Sequence, residues 1–162
     1  MNVRKLAAAA CGALVLTAAV AQAQSPVPQY GTNINMEQAR KAWAAADAEA
    51  RKNGWPMAIA VVDTAGQLVA FQRADNTQTA SVQVAQDKAV SSAMYRRPTK
   101  VMQDAVAGGG AGVRFLNLRG ASVVEGGLPL YIDGKIVGAI GVSGMASDQD
   151  GQVAKAGVDS LK

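Results

Sequence analysis

The stretch "YIDGKIVGAIGVSG", residues 131–144, decides the fold because it joins a tight turn to a long strand that carries several glycines. Asp133-Gly134 lies between two apolar runs, and this pair predicts a hairpin because glycine accepts the positive φ of tight turns. Side chains alternate along a strand. One face is therefore bulky, with Ile136, Gly138, Ile140 and Val142, and the other is small, with Val137, Ala139, Gly141 and Ser143. The small face predicts close approach by a helix, a neighbouring subunit or a flat ligand.

Upstream of this hairpin, the sequence predicts a helix followed by a second hairpin. In "NMEQARKAWAAADAEARKNG" Asn35 and Gln38 form a capping pair, and Gly54 suits the position just past the helix end. "MAIAVVD" and "LVAFQR" flank the turn "TAGQ". Because the first of these strands is apolar on both faces, we expect it to be central and covered on both sides.

The remaining segments complete one α+β domain. A second helix, "TASVQVAQDKAVSSAMYRR", is predicted with Thr77 or Thr79 as its cap, and Pro98 suits the first turn of a third. We expect "GGGAGVRFLNLRG" to be a flexible connector, "SVVEGGLPLYI" to lead into the final hairpin, and Ser147 to cap a last helix. The order predicts an antiparallel sheet of about five strands with flanking helices.

The N-terminus has the pattern of a secretory signal peptide. Arg4 and Lys5 precede an apolar run of about 15 residues, and an Ala-x-Ala site predicts cleavage after Ala23. The run is shorter than the ~20 residues of a membrane-spanning helix, so a retained anchor is the less favoured alternative. We therefore expect a signal peptide at 1–23, a flexible lead-in at 24–34, a domain at 35–162, and a periplasmic or secreted product that has no membrane contact after cleavage.

Composition excludes several classes of function. Removing residues 1–23 leaves 14 basic and 12 acidic residues, a net charge of +2, and removes Cys11, the single cysteine. The chain has no histidine, which excludes histidine-dependent triads and histidine zinc sites. Basic residues do not cluster with aromatic ones, which argues against nucleic acid as a partner. A small exported domain without disulfides needs a good core or oligomerisation for stability.

Two charged residues are candidates for chemistry. Lys88 shares one line of the second helix with Tyr95, where it is either a flanking side chain with a solvated amine or a cation at the edge of a pocket, continued by Arg96 and Arg97. Glu125 precedes Gly126-Gly127, and these glycines admit either a ligand or a packed backbone. An enzyme would use Lys88 and Glu125 as its cation and its acid/base.

Four motifs resemble the GlcG/HbpS family of haem-binding-like proteins, which also forms the C-terminal part of PduO-type proteins. They are "VVDTAGQLVAFQR", "AQDKAVSSAMYRRPT", "EGGLPLYIDGKIVGAIGVSG" and "DQDGQVAKAGVDSL". The resemblance covers roughly residues 36–161. It implies a profilin-like sheet, dimers that build larger rings or octamers, and, for some members, haem binding with roles in haem sensing or degradation.

With this resemblance, haem is the candidate cofactor and the residues around the second helix are its candidate contacts: Lys88, Met94, Tyr95, Arg96, Arg97, Thr99, Gly126 and Gly127. Without histidine, Tyr95 or Met94 is the first choice of iron donor, and Tyr131, Met102 and Thr99 are the other candidates. Arg96 and Arg97 would offer cations for the propionates.

Three functions follow. The leading one is an exported protein that binds haem or a related tetrapyrrole for sensing, storage or degradation. The alternative is an enzyme acting on a small carboxylate or carbonyl compound, and the third is a ligand-free accessory or structural subunit.

Overall fold

The computed structural model describes residues 27–162; the predicted signal peptide, 1–23, and residues 24–26 lie outside this part. Four antiparallel strands form one sheet in the order β2-β1-β4-β3, with helices on both faces. The elements are α1 Met36–Lys52, β1 Ala58–Asp63, β2 Leu68–Arg73, α2 Ser81–Tyr95, α3 Thr99–Ala107, a 3-10 helix Gly110–Asn117, β3 Gly127–Ile132, β4 Lys135–Ser143 and α4 Ser147–Asp159. The predicted α+β class and antiparallel sheet are confirmed.

The strand count of about five is too high by one. Only Gly127–Ile132 of the segment that leads into the last hairpin is a strand. Gly126 has a φ of 127°, which takes the preceding chain out of the strand direction. Its carbonyl still accepts a hydrogen bond from the Val142 N–H, so pairing with β4 begins at this bend.

Both predicted ends of α1 agree with the structure, since Gly54 follows the C-cap Asn53 with a φ of 69°, whereas the predicted N-caps of α2 and α4 differ. Asn35 and Gln38 form the predicted reciprocal capping box of α1. The predicted threonine cap of α2 is wrong: Ala80 is the N-cap without a side-chain bond, and the Thr77 hydroxyl donates to the carbonyl of Ala74 instead. Ser147 is the first residue of α4 and not its cap, which is Ala146.

Two segments expected to be loose have defined contacts. The glycine-rich connector contains the 3-10 helix, which packs on α3. In the lead-in, Tyr30 bridges to Ile136, and the Ile34 N–H donates to the carbonyl of Val137. The expectation of a flexible lead-in therefore differs from the structure for residues 29–34, which lie along the start of β4 beyond the end of β1.

The helices divide the structure into three layers. α2 covers one face of the sheet, and α1 and α4 pack together on the other. The α2 layer is built almost entirely of alanine, with Ala85, Ala89 and Ala93 facing the sheet. No helix within residues 27–162 is long and apolar enough to cross a membrane.

The small face of β4 is occupied by a helix of the same chain. A Cβ atom at Gly141 would stand 2.5 Å from the backbone nitrogen of Ala89 and would overlap the carbonyl oxygen of Ala85. A real side chain cannot occupy that space, so glycine at 141 is what lets α2 lie directly on the strand. Of the three occupants considered from the sequence, the structure shows the helix.

Candidate functional site

Lys88 lies inside the protein, in an ion pair that the sequence did not reveal. Its side chain is 1% exposed, and Nζ donates to Asp150 Oδ2 at 2.7 Å and to the Val142 carbonyl at 3.0 Å. Asp150 is equally buried, and its Oδ1 accepts the Met145 N–H at 3.2 Å. Burial raises the pKa of Asp150, although the hydrogen bond and charge of Lys88 act to lower it. The pair joins α2 to β4 and α4.

Gly126 and Gly127 belong to the same interior region. A Cβ at Gly126 would lie 2.8 Å from Lys88 Nζ, and one at Gly127 would lie 2.7 Å from Thr99 Cγ2. The Gly127 N–H donates to Thr99 Oγ1 at 3.0 Å. These two glycines and Thr99 therefore pack protein against protein, and Lys88 is neither a flank with a solvated amine nor a cation at a pocket edge.

Glu125 is held separately from the Lys88–Asp150 pair. Its backbone N–H donates to Gln103 Oε1 at 2.7 Å, and its Oε2 lies 3.9 Å from Lys100 Nζ. A Cβ at Gly151 would lie 2.6 Å from Glu125 Oε1. The Glu125 carboxylate therefore packs against α4 at Gly151, the residue that follows Asp150. The interior lysine therefore has Asp150, not Glu125, as its ion-pair partner.

A signal for Asp150 is present in the sequence. Asp150, Val153, Ala154 and Gly157 are buried on one face of α4. Their spacing of three and four residues is that of a buried helical stripe. A carboxylate within such a stripe requires a buried cation or hydrogen-bond donors, and Lys88 in the middle of α2 is the matching residue.

The end of α2 is different, because there the predicted haem contacts reach the surface. We call Met94, Tyr95 and Arg97 the α2 C-terminal cluster. Met94 is 50% exposed, and Arg97 is exposed. The Tyr95 hydroxyl donates to the Arg119 carbonyl at 2.7 Å, and Arg97 Nε donates to the Tyr95 carbonyl at 3.0 Å. Within four residues of sequence this cluster offers an exposed thioether, a half-buried phenol and an exposed guanidinium.

Arg96 points away from that cluster. It ends α2 in the left-handed conformation with a φ of 53°. Its Nη1 donates to the Pro28 carbonyl at 3.3 Å, and its guanidinium lies 5.3 Å from the centre of the Tyr30 ring. Arg96 therefore fixes the lead-in to the end of α2.

Burial separates the candidate iron donors into two groups. Met102 is fully buried beside Ser91, and Thr99 already accepts the Gly127 N–H. Burial raises the pKa of Tyr131, which disfavours a tyrosinate there. Met94 is the exposed donor, and Tyr95 is half-buried with its hydroxyl bound to the Arg119 carbonyl, a bond that iron ligation would replace. Within residues 27–162 no group of three or more histidine, cysteine, aspartate or glutamate side chains is placed to hold a metal ion.

The arrangement of layers places the protein among single-domain α+β proteins. In this class a four-stranded antiparallel sheet lies between one helix on one face and two helices on the other. Within this class, the family described as "Haem degrading protein HbpS-like" matches residues 34–159. The chain belongs to this family.

Individual relatives agree with that assignment. Protein GlcG of Escherichia coli strain K12 is 39% identical over 110 residues, which cover 68% of this chain and 81% of GlcG. The fold is similar to the crystal structure of a double mutant of Streptomyces reticuli HbpS, with a TM-score of 0.75 and 30% sequence identity. The match covers 90% of this chain and 98% of that one. A crystal structure of PduOC in complex with heme shares the fold at 22% identity and a TM-score of 0.73, covering 81% of this chain and 96% of that one.

Proposed function

We propose that the protein is an exported binder of haem or a related tetrapyrrole. Membership of a family described by haem degradation supports a haem-related role, and a neighbour of the same fold was solved with heme. The observation that carries the proposal in this chain is the α2 C-terminal cluster, where Met94 and Arg97 are exposed and the neighbouring Tyr95 is half-buried.

In this proposal the tetrapyrrole lies against the end of α2. Arg97 would bind a propionate, because its side chain is exposed. Within the described part of the chain it makes no ion pair with a carboxylate. Met94 or Tyr95 would hold the iron, and haem iron bound in this way would supply redox or oxygen chemistry. Without imidazole, apolar contact with the ring would provide most of the affinity.

A hemin titration followed by absorption tests this proposal. We expect a broad absorption change with the wild type, a shifted spectrum in Tyr95→Phe, and affinity about fivefold weaker in Arg97→Gln, since one exposed charge contact contributes about 1 kcal/mol. Lys135→Gln removes the same charge at the β3–β4 turn and should bind as the wild type does. A titration with no change beyond that of free hemin would reject haem and leave the accessory role.

The enzyme alternative needs an amine that a substrate can reach. Lys88 is sealed between Asp150 and the Val142 carbonyl, and Glu125 interacts with Lys100 and Gln103. Because the geometry does not present Lys88 to a small carboxylate or carbonyl compound, we do not advance catalysis as the function.

Export rests on the signal-peptide pattern of residues 1–23. We propose cleavage after Ala23 and a periplasmic or secreted product that begins at Gln24. Intact-mass measurement of the protein recovered outside the cytoplasm should give the mass of residues 24–162. Recovery of the uncleaved chain in that fraction would contradict export by this route.

We further propose that the protein forms homo-oligomers through α3 and the 3-10 helix. Val101, Val113 and Leu116 are each more than two-fifths exposed, and the 3-10 helix has no buried residue. Exposed apolar groups on two elements that pack together are typical of a subunit contact, and the family resemblance implies dimers to octamers. Light scattering should give a multiple of the chain mass, which Leu116→Asp should reduce. A wild-type monomer at high micromolar concentration would contradict the contact.

A further inference from the structure

A cavity lies on the opposite side of the sheet from α2. It has a volume of about 370 Å³ and opens between α1 and the edge strand β2. Its lining is mostly apolar and includes Met36, Arg40, Trp43 and Phe71. The cavity shares no lining residue with the α2 C-terminal cluster, so a ligand here is independent of the proposed haem contacts.

The cavity has a cation that the protein does not use. Within residues 27–162 the Arg40 side chain makes no ion pair and no hydrogen bond, whereas Arg51 on the same helix is paired with Asp47. Arg40 lies one helical turn from Trp43 and from Met36, so its guanidinium stands at the border of the apolar lining. A cation beside aromatic walls attracts an anion that carries a flat apolar body.

Trp43 provides a second unused donor. Its indole Nε1 is buried and has no acceptor among the described residues. An unsatisfied buried N–H is costly, because it has lost its hydrogen bond to water without gaining another. Nε1 is covered by protein, so an incoming acceptor reaches it only if the indole rotates, and the fluorescence of Trp43 would report that rotation.

We propose that this cavity binds a planar aromatic carboxylate of one or two rings. Its volume is at the small end of the ~300–1,000 Å³ found for ligand pockets, which favours such a molecule over a tetrapyrrole. The ring lies between Trp43 and Phe71, and the carboxylate pairs with Arg40. A single guanidinium matches one carboxylate, whereas a phosphate in an apolar cavity needs more donors.

The experiment is a calorimetric titration of the full chain with 2-naphthoate, and with 2-naphthamide as its uncharged analogue. We expect the wild type to bind 2-naphthoate, and Arg40→Gln to bind it about tenfold more weakly, as expected for a charge-assisted pair. The amide should bind equally weakly to both proteins. Lys41→Gln removes the same charge from the next residue of α1, which does not line the cavity, and should bind as the wild type does.

Fluorescence gives an independent readout, because the chain has only two tryptophans, Trp43 and Trp55. Binding should change the emission of the wild type, and Trp43→Phe should abolish most of that change while keeping an aromatic wall. No heat with 2-naphthoate, equal affinity in Arg40→Gln, or equal affinity for the amide would overturn the proposal. Arg40→Gln should bind hemin as the wild type does, because Arg40 is not among the proposed haem contacts. Failure of the 2-naphthoate experiment is therefore distinguishable from failure of the hemin experiment.

Discussion

The middle and the end of α2 carry cations of the same charge in opposite environments. At the middle, Lys88 is 1% exposed and has both a carboxylate and a carbonyl as acceptors. At the end, Met94 in the last turn is half exposed, and Arg97, just past the left-handed Arg96, is exposed. A positive charge is therefore enclosed by the fold in the middle of α2 and is available to a ligand just past its end.

This difference follows from what each part of the helix touches. Around Lys88, Gly126 and Gly141 have no side chain, and the strands and α4 close over the amine. Beyond Ala93, the last residue of α2 that packs on the sheet, the Tyr95 hydroxyl donates to the Arg119 carbonyl in the segment before β3. We infer that the interior group is structural and that the outer cluster is the ligand-binding part.

The largest effect is expected from breaking the interior pair. Asp150→Ala leaves Lys88 buried without a counter-ion and should lower the free energy of unfolding by about 3–5 kcal/mol. Urea denaturation followed by circular dichroism measures this change. Replacing both partners, in Lys88→Met with Asp150→Leu, should recover most of the loss because neither charge is then buried.

The control for this prediction is Asp159→Ala on the same helix. Asp159 pairs with Lys155 and Lys162 at the surface, so its removal should leave the urea midpoint close to that of the wild type. The account of the interior pair fails if Asp150→Ala and Asp159→Ala unfold at the same urea concentration.

A smaller effect is expected where α2 lies on β4. Gly141→Ala places a Cβ against the backbone of Ala85 and Ala89, and overpacking of this kind costs roughly 1–3 kcal/mol. Gly108→Ala is the matched control, because its added Cβ would have ordinary contacts of 3.5 Å and its φ is −72°. Equal stability of the two variants would show that α2 can move off the strand at little cost.

The smallest expected effect is a pH dependence of the contribution that Asp150 makes to the free energy of unfolding. Burial raises the pKa of Asp150 in the folded chain, so the folded state binds this proton more tightly than the unfolded state. The contribution of Asp150 to stability therefore falls as the pH rises from about 4, the ordinary aspartate pKa, through the raised value.

Urea titrations of the wild type and of the variant with both Lys88→Met and Asp150→Leu, between pH 4 and 7, isolate this term because the other carboxylates are common to both. As the pH rises, the free energy of unfolding of the wild type should fall relative to that of the double variant. A shift in favour of the wild type would mean that Lys88 outweighs burial and lowers the pKa of Asp150.

The parts of the fold that depend on local pattern could be predicted from the sequence. The α1 capping box and the Asp133-Gly134 turn each need only a few neighbouring residues, and both are present. The partner of Lys88 could not be predicted in the same way, because Asp150 is 62 residues away and ion pairing depends on how α2 and α4 are placed by the sheet. Lys88 and Thr99 are buried whereas Arg97 is exposed, and this difference depends on the packing of the helices on the sheet, which local sequence does not specify.

The central claim is that ligand binding does not involve the interior pair, and hemin affinity in two folded variants tests it most directly. The variant with both Lys88→Met and Asp150→Leu should bind hemin with wild-type affinity, while Arg97→Gln should bind about fivefold more weakly. Loss of hemin binding in the first variant, with circular dichroism showing an intact fold and with Arg97→Gln unaffected, would contradict the account and place the ligand at Lys88.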